Sequence, residues 1–115
     1  MNEYKIFQVK REHMREYGYC GLRQILWQHP GMQGLPREAW EQVYVYRTEQ
    51  EPSLDWLYSV FNRRPLASIF DEETPEDFTG HSMSVSDIVE TPDGKLWFCD
   101  SMGWRKVEWT KEAEG

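Results

Sequence analysis

Cys20, His81 and Asp100 are the residues whose types and order best fit a reaction. A thiol at the start of a helix, an imidazole on a strand and a carboxylate to orient it is the plan of a Cys-His-Asp hydrolase. The order fits, but three common residue types fall into some order easily. The run Tyr19-Cys20-Gly21-Leu22 also supplies no obvious oxyanion donor such as a preceding Gln. The plainer reading makes Cys20 a small apolar packing residue and Asp100 the cap of the Ser101-Met102-Gly103 turn. His81, followed by serines at 82, 84 and 86, then serves to fix a loop. We take the plainer reading, so the expectation is no enzyme, with the triad as the alternative.

Metal chemistry has less support. Zinc sites need three or four ligands at tight paired spacings, and no two of His13, Cys20, His29, His81 and Cys99 lie that close in sequence. No cofactor and no metal are expected. A different chemistry is concentrated in Asp71-Glu72-Glu73-Thr74-Pro75-Glu76-Asp77, five acids in seven positions, flanked by Phe70 and Phe78. A negative segment set among aromatics can compete with phosphates for a cationic groove. Asp71, Glu72, Glu73, Glu76 and Asp77 are therefore the candidate steering charges, with Phe70 and Trp56 as apolar anchors.

The charge balance supports that choice. The chain has 115 residues and a formal net charge of −7. Residues 49–93 carry eleven acids against Arg63 and Arg64. Direct nucleic-acid binding needs clustered Lys and Arg and is disfavoured, whereas a basic, nucleic-acid-binding surface on another protein is attracted. Six Trp, six Tyr and five Phe are more than a core of this size easily hides, and aromatics are enriched where proteins touch. The two cysteines make no disulfide framework, and no apolar run approaches a membrane span or an h-region. These features predict a cytoplasmic protein.

The elements that must position these residues follow from periodicity. Tyr4–Val9 reads as a strand, and residues 11–28 as helix interrupted at Gly18 and Gly21, with Leu22, Ile25 and Leu26 as its buried stripe. Pro36 opens a short helical turn, and residues 43–47 (VYVYR) form a strand. Ser53 caps a helix in which Leu54, Leu57, Tyr58 and Phe61 repeat on one face. A turn at Pro75–Phe78 leads to a strand over 82–90, whose apolar positions change face near Ser86-Asp87, which predicts a bulge there. Thr91-Pro92-Asp93-Gly94 is a turn, and strands over 95–100 and 104–109 complete a meander. One α+β domain over 1–115 is expected: a small antiparallel sheet, a three-stranded meander plus one or two further strands, packed against two main helices on one face.

The segments PEDFTGHSMSVSDIV and FCDSMGW resemble the YodL-like domain family, through Gly80–Val89 and Asp100–Trp104. The resemblance covers residues 42–109 well and the first forty loosely, and residues 63–74 look like an insertion that brings much of the acid. It implies a domain of small bacterial and mobile-element proteins, phages included, with no established enzymatic activity, and carries over no catalytic residue. The implied role is accessory, including antagonism of host defence. The combined expectation is a stoichiometric, anti-CRISPR-like inhibitor of a host nucleic-acid-processing complex.

Overall fold

The structure, a computed structural model, describes residues 1–62 and 75–110. Five strands form one antiparallel sheet in the order β2-β1-β3-β4-β5, with β1 Asn2–Val9, β2 Trp40–Thr48, β3 Ile88–Glu90, β4 Leu96–Asp100 and β5 Gly103–Val107. The helices are α1 Met14–Tyr17, α2 Leu22–Gln28 and α3 Leu54–Phe61. This is the expected α+β fold, with β3-β4-β5 as the C-terminal meander and β1-β2 as the two added strands.

The helices do not share a face. Along β1, Tyr4 and Ile6 pack with Leu57 and Phe61 of α3, while Phe7 and Val9 pack with Tyr17 of α1 and Ile25 of α2. The same alternation places Ile88 on one side and Val89 on the other, both 0% exposed. The reason is visible in β1 and β3, which are apolar on both faces, so each face needs its own cover. One helix layer on each side of the sheet answers that need.

Local signals explain most boundaries. The Ser53 hydroxyl accepts the Trp56 N–H at 3.0 Å and starts α3, and Asp55 lies in its first turn. Leu57, Val60 and Phe61 are its buried stripe. In α2 only Ile25 is fully buried; Leu26 is 43% exposed, so the expected three-residue stripe does not form. The helix is seven residues long and meets the sheet chiefly through Ile25 and Leu22.

The strand expected over 82–90 is pairing only from Ile88 to Glu90. Just before it, Ser86 and Asp87 together oppose Cys99: the Ser86 N–H donates to the Cys99 carbonyl at 2.9 Å, and the Cys99 N–H donates to the Asp87 carbonyl at 2.8 Å. That is a bulge at the expected place. It grows out of a turn closed by Asp87 N–H to Ser84 C=O at 3.1 Å, with Ser86 at φ 87°.

Candidate functional site

A polar node lies where β1 ends and β3 begins. Gln8 continues the face of Tyr4 and Ile6 but is polar, and it is 2% exposed. Its Nε2 donates to the Asp87 carboxyl at 3.0 Å and to the His81 carbonyl at 2.8 Å, and its Oε1 accepts the His81 N–H at 3.2 Å. The side chain thus pairs with the His81 backbone as a strand would. Gly80 allows this approach, because a Cβ there would lie 2.6 Å from Gln8 Oε1 and 2.9 Å from the Phe78 ring.

Asp87 is 1% exposed and its Oδ2 also accepts the Ser84 N–H at 3.0 Å, while Oδ1 is buried without a hydrogen-bond partner. Burial pushes its acid pKa up to about 8, against the smaller opposing pull of those N–H donors. The carboxyl is therefore protonated at neutral pH. Beside it every polar atom of Ser86 is held. Its carbonyl accepts Trp40 Nε1–H at 2.8 Å, its hydroxyl accepts the Tyr19 N–H at 2.9 Å, and its N–H serves the bulge. These three bonds hold a buried non-glycine residue at positive φ.

The three residues of the hydrolase alternative border this node. The Tyr19 ring lies 5.7 Å from the His81 ring, and Gly21 packs so close to Asp100 that a Cβ would sit 2.9 Å from Oδ1. Cys20 lies between those two contacts. No hydrogen bond joins any two of Cys20, His81 and Asp100, however. His81 Nδ1–H donates to the Ser82 carbonyl at 2.8 Å. Asp100 accepts the Ser101 N–H at 2.8 Å and pairs with Arg105 at 3.3 Å, so its carboxylate is engaged in the corner. The tertiary structure brings the three to one end of the sheet, but it gives His81 and Asp100 different partners and packs Cys20 against the core.

Of the acidic candidates, the described pair Glu76 and Asp77 lies on the α3 side. Glu76 and Asp77 are exposed, and Asp77 accepts the Tyr44 hydroxyl at 2.8 Å. Burial first, then this bond, pushes the Tyr44 phenol up to about 12. Trp56 is half-buried and packs against Tyr46 at 6.0 Å between ring centroids. Asp55 accepts Trp104 Nε1–H at 3.2 Å. Carboxylates and aromatic edges thus alternate around α3. Phe70, Asp71, Glu72 and Glu73, with the insertion over 63–74, lie outside the described residues. Among the described residues no group of three His, Cys, Asp or Glu is placed to hold a metal ion, and no helix is long and apolar enough to cross a membrane.

A family model for the YodL-like domain matches residues 3–109. The chain belongs to the YodL-like domain family. The match takes in the first forty residues, whose likeness is harder to see by motif alone. Neither the curated proteins nor the solved structures compared with it gave a match.

In this YodL-like domain the residues that carry the family resemblance are those that build the node. Gly80 lies against Gln8, Ser86 and Asp87 make the bulge, and Asp100 packs over Gly21. Trp104 ties β5 to α3 through Asp55. The partners Gln8, Tyr19 and Trp40 escaped the reading by motif. One signal was available for Gln8: it is the polar residue that follows Tyr4 and Ile6 on one strand face.

Proposed function

We propose that this YodL-like domain is a stoichiometric, non-catalytic protein-binding module. Its acidic, aromatic-flanked α3 side engages a basic, nucleic-acid-binding surface of another protein, such as a nucleic-acid-processing defence complex of a bacterial host. The observation that carries the reading is the state of the acids. Among the described residues, none of Glu49, Glu51, Asp55, Glu76 and Asp77 makes an ion pair. On the same side Tyr44, Tyr46, Trp56, Tyr58 and Trp104 are only partly buried, and Asp77 and Asp55 accept hydrogen bonds from Tyr44 and Trp104. Unpaired carboxylates held against aromatic edges offer steering charge and contact area together. Asp71, Glu72 and Glu73 add charge to the same stretch of sequence.

The test is capture from bacterial lysate on the immobilised domain, with added duplex DNA as competitor and with rising salt. A specific bound protein released by DNA, and lost when Asp71, Glu72, Glu73, Glu76 and Asp77 are all changed to amides, supports the reading. Capture that is indifferent to DNA and to the amide changes overturns it. The alternative, a hydrolase using Cys20, His81 and Asp100, draws on the placement of Cys20 between residues that touch the other two. A thiol-directed probe that labels Cys20 only when His81 is present would favour it.

A further inference from the structure

At the end of the sheet away from the polar node, a cleft of about 420 Å3 opens between the start of β1, the loop before α3 and the β3–β4 turn. That volume falls within the roughly 300–1,000 Å3 of small-ligand sites. Its walls are the rings of Tyr4 and Trp97 with Pro52 and Leu54, and Glu51 and Asp93 also line it. Apolar walls, an indole and two carboxylates are the parts that recognise a long-stemmed cation. A second, smaller hollow runs from Glu51 and Ser53 to Trp56, so the cleft is continuous with the α3 side.

Three features bear on its sign. Glu51 is exposed and makes no ion pair among the described residues. Asp93 pairs with Lys95 at 3.6 Å, but both side chains are more than half exposed, and such a pair neutralises little. The α3 N-terminus lies alongside, and its positive end is offset by the Ser53 cap and by Asp55 in the first turn. Burial raises the pKa of the Tyr4 phenol, and the nearby charges of Glu51 and Asp93 raise it further.

We propose that this cleft is a socket for one arginine side chain of the partner protein. The stem lies along Leu54 and Pro52, and the guanidinium stacks on Trp97 and forks onto Glu51. The inference rests on the protein-binding reading above and names the anchor of that surface.

The experiment titrates the intact 15N-labelled protein with the peptide Gly-Gly-Arg-Gly-Gly and with its citrulline and lysine counterparts, following the Trp97 indole N–H by NMR. The expected result is a saturable shift with arginine and none with citrulline. Lysine, which cannot fork or stack as a plane, binds more weakly. Glu51→Gln, a change at an exposed position, weakens the arginine response about fivefold or more and leaves the remaining amide spectrum in place. Equal shifts with citrulline, an undiminished response in Glu51→Gln, or no shift with arginine at about 10 mM overturns the socket. If DNA-sensitive capture persists while the peptide fails, the socket alone falls. If the peptide binds while capture ignores the acids, the wider reading falls and the cleft stands.

Discussion

Gln8 and Asp87 meet side chain to side chain at 3.0 Å, 79 positions apart in sequence, and neither is more than 2% exposed. Through this contact the end of β1 holds the bulge that starts β3 and the loop that carries His81. Its consequences are measurable.

Asp87 keeps its proton in the folded protein up to about pH 8, whereas the unfolded chain releases it near 3.8. Between those values the native state binds the extra proton, so stability falls as pH rises. The contribution is intact below about 4 and lost above about 8. In Asp87→Asn the amide oxygen accepts the same N–H donors and nothing titrates. Thermal melts from about pH 5 to pH 8 are expected to fall less steeply for Asp87→Asn than for the parent. Parallel slopes would refute the assignment.

Gly80→Ala sets a methyl 2.6 Å from Gln8 Oε1 and 2.9 Å from Phe78. Both neighbours are buried, so relief requires breaking the Gln8–His81 pairing. The expected loss is about 1–3 kcal/mol in urea unfolding. An unchanged midpoint would show that the node can shift freely.

Trp40→Phe removes the indole N–H that donates to the Ser86 carbonyl at 2.8 Å while keeping most of the ring. Trp40 is 0% exposed, and the abandoned carbonyl is left without that donor. A cost of about 1–3 kcal/mol from the lost bond follows, with further loss from the smaller ring. Hydrogen exchange at the Tyr19 and Ser86 amides should quicken, because the positive-φ turn loses one of its ties.

The two thiols should differ in reactivity. Cys99 is 5% exposed, and burial, with the charges of Asp87, Asp100 and Asp55 behind it, pushes its pKa up to about 12. Cys20 is only half-buried. Mass spectrometry after native labelling at about pH 8 is expected to find one modified thiol, at Cys20, and two after denaturation. No bond links Cys20 to His81, so His81→Ala should leave the labelling rate of Cys20 unchanged. A strong dependence would instead revive the hydrolase.

Much of this architecture was legible from local pattern. The Leu54, Leu57 and Phe61 spacing with the Ser53 cap identifies α3, and Thr91-Pro92-Asp93-Gly94 closes the β3–β4 hairpin, with the Gly94 N–H donating to the Thr91 carbonyl at 2.9 Å. The change of face at Ser86-Asp87 marks the bulge, because a slip in a period-two pattern has no other cheap explanation. The helix faces were not legible in the same way. A helix carries its apolar stripe whichever side of the sheet it covers, and only the connections through space put α2 and α3 on opposite faces.

The functional end of the molecule divides along the same line. Residue order alone determines the charge asymmetry, the aromatic surplus, the turn chemistry and the family motif, since each depends on composition or on neighbours a few positions apart. Only the tertiary structure decided that Gln8 completes Asp87, that Trp40 and Tyr19 pin Ser86, and that Cys20, His81 and Asp100 gather without bonding one another. The physical reason is that a buried polar group must find a partner wherever the fold brings one, and that partner leaves no mark in the sequence around it.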